Sequence, residues 1–171
     1  MEKNEESLAS PKLQKVVQAM IAEEYFAYQL YFISRFAVKA EDRGVLADMF
    51  AQIAADELED HMKELVEWCA EYKVDVPATE AEFKRAAAKP IQKVVADLKK
   101  NKDAGYYIDQ AIKQEELAIQ SYKEALDEDE VCQFTDLQAT LWHIFYDEND
   151  HLRNLTTAKT AYEAGADLVI S

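Results

Sequence analysis

The stretch Ile144-Phe145-Tyr146-Asp147-Glu148-Asn149-Asp150-His151-Leu152 reads as one strip of helix with an acid where a hydrophobe is expected. Ile144 and Leu152 lie four residues on either side of Glu148, so at a period of 3.6 all three share a face. Glu148 and His151 form Glu-x-x-His, which puts both side chains on that face one turn apart. Three further apolar stripes are interrupted in the same way. Glu24 sits between Met20/Ile21 and Ala27/Tyr28, Glu57 follows Ile53 by four, and Glu115 sits between Ala111/Ile112 and Ala118/Ile119. An unpaired buried carboxylate is costly, so four of them in one core call for four compensating charges.

Their spacing is regular. Glu24 to Glu57 is 33 residues, and Glu115 to Glu148 is also 33. At an offset of 91, Glu24-x-x-Ala27-x-x-x-Tyr31 matches Glu115-x-x-Ala118-x-x-x-Tyr122, and Ile53-x-x-Asp56-Glu57 matches Ile144-x-x-Asp147-Glu148. In an antiparallel hairpin, residues 33 apart lie level when the turn centres midway, near 40 and near 131. All four glutamates are therefore expected in one layer.

The rest of the chain agrees with an all-α reading. It has 171 residues, three glycines and three prolines, and long stretches between them rich in Ala, Leu, Glu, Lys and Gln. Four amphipathic segments are expected. The first, about 11–38, carries Leu13, Val17, Met20, Tyr31 and Phe32, and opens at Ser10-Pro11. The others run from about 44 to 73, to an end near 126, and from about 130 to 163. Short links at Lys39–Arg43 and at Asp127–Glu130 imply antiparallel hairpins. The middle link is long enough to run the length of a bundle. It holds a capping box at Thr79-Glu80-Ala81-Glu82 and a helical stretch from Ile91, either continuous with the third helix or bent near Gly105. The expected domains are a flexible N-terminus over 1–10, a four-helix bundle over 11–164 and a tail over 165–171.

Charge excludes some partners. With 19 Lys+Arg against 34 Asp+Glu, the net charge is −15, which argues against nucleic acid and favours small cations. No window approaches the roughly 18 uncharged apolar residues of a membrane span. The N-terminus has no basic, then apolar, secretion signal, so a cytoplasmic protein is expected.

A Glu from each of two helices plus Glu-x-x-His from each of the other two is the ligand set of di-iron and di-manganese carboxylate bundles. Four carboxylates carry −4 and two divalent cations +4. The first hairpin departs from symmetry, because the offset partner of His151 is Asp60 and the histidine follows as His61. Either Asp60 or His61 is the ligand. The apolar stripe continues through His61, Leu65, Trp68 and Tyr72, while Asp60, Glu64 and Glu71 belong to the wet side. His61 is favoured, through an i, i+4 pair or a one-residue π-bulge. Carboxylates and imidazole suit iron or manganese.

On these residues the chain resembles the ferritin-like superfamily, and bacterioferritin-type ferritins most closely. Glu24 followed by Tyr31-Phe32, Glu115 before Lys123-Glu124-Ala125, and Asp147-Glu148-x-x-His151 are similar to the corresponding family segments. The resemblance implies two irons held by Glu24, Glu57, His61, Glu115, Glu148 and His151, with Glu57 and Glu148 bridging. It implies oxidation of Fe(II) by dioxygen or hydrogen peroxide, iron storage, and a homo-oligomer such as a cage, ring or dimer. Glu57-x-x-x-His61 is one residue longer than the family's Glu-x-x-His. Leu58 stands where bacterioferritins carry a haem-ligating Met, so no haem is expected.

Rival readings are a rubrerythrin-like peroxide reductase with a separate electron donor, and a metal-free helical interaction protein. Tyr31 and Tyr122 read as core residues with bonded hydroxyls, or as electron donors. Trp68 reads as core and His143 as off the core stripe. Cys69 and Cys132 lack Cys-x-x-Cys spacing, so there is no rubredoxin-like iron site, and free thiols are expected.

Overall fold

The computed structural model describes residues 8–41 and 43–165. Of the two terminal segments expected at 1–10 and 165–171, residues 1–7 and 166–171 lie outside that range. Helix α1 spans Pro11–Lys39. Helix α2 (Gly44–Ala55) passes through a π-helical segment, Asp56–His61, directly into α3 (Met62–Tyr72), so the three form one long rod. Two short helices, α4 (Glu80–Ala86) and α5 (Lys89–Ala96), lie in the crossover. Helix α6 spans Ala104–Leu126, and α7 spans Thr135–Glu163 after a 3-10 turn at Val131–Gln133.

Each start has a local cause. Ser10 caps α1 by accepting from the Leu13 N–H at 3.1 Å, with Pro11 at the first helical position. Its hydroxyl also donates to Glu130, tying this end of α1 to the turn before α7. The capping box at Thr79 and Glu82 is complete in both directions. Asp103 caps α6, so the stretch from Ile91 is a separate helix, and the break falls before Gly105. Gly105 is needed where it stands, since a Cβ there would lie 2.7 Å from the Tyr162 ring.

Two apolar clusters set the directions of the four rods. One gathers Leu13, Val17 and Met20 of α1, Leu65 and Trp68 of α3, Tyr122 and Leu126 of α6, and Leu137 and Ile144 of α7. The other gathers Tyr31 and Val38 of α1, Leu46 and Phe50 of α2, Ala104 and Ile108 of α6, and Leu155 and Ala158 of α7. Each rod therefore crosses from one cluster to the other. α1 and α7 run one way, and the α2–α3 rod and α6 run the opposite way. The crossover must then travel the full length of the bundle. On its way it packs Ala87 and Ile91 against Ala22 and Phe26 on the outside of α1.

Phe32, read from sequence as part of the core stripe, is 45% exposed. In that half of α1 the inward arc is Tyr31, Ser34 and Val38, and Phe32 falls on the far side, against Tyr28 and Phe36. No described helix is long and apolar enough to cross a membrane.

The π segment explains a change in the internal register. Before it, Leu46, Phe50 and Ile53 pair with Leu137, Leu141 and Ile144 at an offset of 91. After it, Leu65 and Trp68 pair with Leu155 and Ala158 at 90, and all of these are buried. The turn absorbs one extra residue, with the Met62 N–H reaching back to the Glu57 carbonyl, and downstream side chains keep their facing. Deleting the exposed Glu59 is expected to restore an ordinary α-helix, with His61 three residues after Glu57 and the core register unchanged. Helix content and melting temperature in chelator should then match or exceed those of the parent. A fall of more than about 4 °C, roughly 1 kcal/mol for a domain of this size, would contradict that account.

Candidate metal centre

Between the two apolar clusters lies one polar layer. Glu24 comes from the middle of α1, Glu57 and His61 from the π segment, Glu115 from α6, and Glu148 and His151 from α7. All six side chains expected from sequence meet there, at 0% to 7% exposure. At that burial water cannot hold the charges apart. Asp60, the alternative to His61, is exposed on the outside of the π turn.

The layer divides into two groups that share two members. Glu24, Glu57, His61 and Glu148 form one, and Glu57, Glu115, Glu148 and His151 the other, with potential ligand atoms within 4.8 Å of one another. Glu57 and Glu148 belong to both. His61 Nδ1 lies 3.3 Å from Glu24 Oε2, 3.2 Å from Glu57 Oε2 and 3.3 Å from Glu148 Oε1. His151 Nδ1 lies 3.7 Å from Glu57, 3.9 Å from Glu115 and 3.7 Å from Glu148. Several of these buried atoms have no hydrogen-bond partner: Glu57 Oε1, Glu115 Oε2, Glu148 Oε1 and His151 Nδ1. Unpartnered donors of this kind, converging from four helices, fit a pair of cations.

The outer nitrogens of the two histidines are held by aspartates. His61 Nε2 donates to Asp147 Oδ2 at 3.4 Å, and His151 Nε2 donates to Asp56 Oδ2 at 3.4 Å. Each aspartate directly precedes the shared glutamate of the opposite hairpin. This fixes each ring with Nδ1 facing the layer, as carboxylates behind metal-binding histidines do. Neither role is among the sequence expectations, although the repeated Asp-Glu pair at offset 91 carried the signal. The tyrosines also act crosswise, Tyr31 donating to Glu115 and Tyr122 to Glu24. Trp68 is buried, and both cysteines are free, Cys69 buried and Cys132 exposed. Burial pushes the Cys69 thiol up to about 12.

Without cations the layer must hold protons. Burial, reinforced by Glu148 nearby, keeps Glu57 and Glu115 well above the usual carboxylate range. Burial alone would lower both histidines. The close carboxylates of Glu148, Glu24 and Glu57 outweigh it at His61, and those of Asp56 and Glu148 take His151 up to about 10. Burial would likewise raise Glu148, but the nearby Glu115, His151 and His61 hold it below its ordinary value.

A family model for the ferritin-like domain matches residues 14–161. The chain belongs to the ferritin-like family. It is similar in fold to M. penetrans ferritin, with 15% identity over 95% of this chain and 91% of that one and a TM-score of 0.74. The bacterioferritin-related protein of Bacteroides fragilis, described as a dodecameric thioferritin, shares 19% identity over 92% and 90%, at a TM-score of 0.78. A ferritin-like diiron-carboxylate protein of Bacillus anthracis shares 21% over 86% and 95%, at 0.68. No curated protein sequence matches the chain closely enough to carry an argument.

The proton load gives a stability test. Glu57, Glu115, His61 and His151 bind protons more tightly folded than unfolded. Their stabilisation is complete below the ordinary values, 4.5 for Glu and 6.5 for His, and is lost as pH rises through the folded values. The lowered Glu148 and Asp56 act below 4.5, outside this window. The metal-free protein should therefore melt lower at pH 9 than at pH 6. Adding Co(II) should shrink the difference, because cations replace the layer's protons, and leave the part due to Glu23, which burial raises to about 7 and which belongs to neither donor group. The Glu57→Gln/Glu115→Gln variant should show a shallower fall. A melting temperature in chelator that is flat or rises from pH 6 to 9 would count against the protonated layer.

Proposed function

We propose that this chain is a ferroxidase of the ferritin-like family, which takes two Fe(II) ions per chain as substrate and oxidises them with dioxygen or hydrogen peroxide. The observation that carries it is the sharing of Glu57 and Glu148 by two buried donor groups. A shared pair of carboxylates brings two cations close enough to give up their electrons together. In that reading Glu57 and Glu148 bridge, Glu24 and His61 complete one position, and Glu115 and His151 the other.

The chain's own contribution is binding, orientation and proton balance. Asp147 and Asp56 keep His61 and His151 turned inward, and Tyr31 and Tyr122 hold one oxygen each of the outer carboxylates. Cation binding displaces protons from the layer. Two Fe(II) release two electrons, which reduce peroxide with two protons to two waters, or dioxygen with two protons to peroxide. Four carboxylates against two divalent cations leave no net charge to bury. Carboxylate and imidazole donors are also compatible with manganese. Storage in a homo-oligomer is part of the proposal, supported by the fold shared with ferritins and with the protein described as dodecameric.

Anaerobic Fe(II) titration should saturate at two tight ions per chain, and added oxidant should convert them to Fe(III) at once. Glu57→Ala with Glu148→Ala should abolish paired binding and slow oxidation at least a hundredfold, with helix content kept. Unchanged iron stoichiometry in that double variant would overturn the assignment. Steady peroxide turnover without accumulated Fe(III) would identify a peroxide reductase instead.

A further inference from the structure

The two halves of the layer are built alike, and the place where they differ is the outer face of His61. On the His151 side, the supporting Asp56 accepts from Gln52 Nε2 at 2.8 Å. At offset 91 the residue that stands for Gln52 is His143. Its Nε2 lies 3.2 Å from Asp147 Oδ2, and its ring centroid is 6.4 Å from that of His61. Glutamine is enough to orient an aspartate by a hydrogen bond. Histidine adds a ligand nitrogen.

Other features converge on the same spot. Asp60 is exposed by the π turn, and its carboxylate joins His143 and Asp147 in a group whose ligand atoms lie within 4.8 Å of one another. Among the described residues no such group surrounds Gln52 and Asp56. Glu64 Oε2 lies 3.2 Å from His143 Nδ1, so the imidazole has a carboxylate oxygen against each nitrogen. A neutral ring donates to only one of them, and a cation held between ring and carboxylate would satisfy the other contact. An open groove of about 480 Å³ between α3 and α7 leads to His143, lined also by Glu64, Glu67, Glu71 and Asp136. Lys63 pairs with Glu67 at 3.8 Å.

We propose that Asp60, His143 and Asp147 form an outer divalent-cation site, reached along this acidic groove and separated from the buried layer by His61. Two carboxylates and one imidazole make a donor set for a partly hydrated first-row divalent ion. Only three protein ligands and half-exposed side chains make it weaker than the buried pair. As a staging point for Fe(II) it rests on the ferroxidase reading; as a binding site it stands by itself.

The test uses Co(II), which is not oxidised under these conditions, in anaerobic equilibrium dialysis of the full chain. The wild type should take up three ions, two tight and one at least tenfold weaker. His143→Gln, which copies the residue of the other half, should keep the tight pair and weaken the third ion at least tenfold, and Asp60→Asn should do the same. Melting curves should show both variants folded, since both positions are exposed. Two ions in all three proteins would overturn the outer site and leave the buried pair standing. Three unaltered ions in both variants would overturn its assignment to these residues. If the wild type lacks the tight pair, the buried layer's reading fails. The outer site is then supported if His143→Gln removes the remaining ion, and overturned if it does not.

Discussion

Four carboxylates buried at one depth repel one another in a medium too dry to screen them, and the rest of the interior is arranged around that repulsion. Two histidines, each facing three carboxylates through Nδ1, supply positive charge when no metal is bound. Two tyrosines donate from the neighbouring turns. The apolar clusters above and below keep water out, which strengthens each of these contacts and makes any unmatched charge costlier. Protons and cations then compete for the same place. A layer that binds protons this firmly while several oxygens remain unpartnered is poised for exchange with metal, since one divalent ion can replace two protons without changing the charge that is buried.

The fold was legible in the sequence because a duplicated pattern constrains more than composition does. A spacing of 33 within each half fixes the depth at which paired glutamates meet, and the offset of 91 says that both halves use the same depth. Even the π turn left a trace, as a histidine one residue late and a core pattern that resumes at 90 rather than 91. The direction of the second hairpin was less accessible. A crossover running the length of the bundle could be expected from its size, but only the membership of the two apolar clusters shows that α6 runs against α1. The break between α5 and α6 was left open in the sequence, as a continuous helix or a bend near Gly105, and its determinants are the Asp103 cap and Asn101 with positive φ, residue types that favour caps and turns over helix interiors.

Other features were invisible for a physical reason. Asp56 and Asp147 sit at positions that helical periodicity assigns to the boundary, 32% and 38% exposed at their side chains, and their importance lies in which ring nitrogen they reach across the bundle. A pattern along one helix carries no information about that. Phe32 failed in the opposite sense. An aromatic beside a buried tyrosine fits the stripe on paper, but the inward arc of α1 narrows beyond Glu24 and leaves Phe32, Ile33 and Phe36 outside.

The extra residue in the α2–α3 rod is not explained by the need to bring a histidine inward. The other half delivers His151 to the layer from an unbroken helix, three residues after its glutamate, and its distances to the carboxylates are longer by about half an ångström. What the extra residue changes is the exterior. It leaves Asp60 on the wet side of His61, next to the one position where the two halves exchange a glutamine for a histidine. Two departures from symmetry that meet on the same face, one in the backbone and one in a side chain, are more economically read as one local feature than as two independent accidents. The buried layer is thus nearly two-fold, while its surroundings distinguish the His61 side from the His151 side, so that its two overlapping donor groups have unlike approaches from solvent.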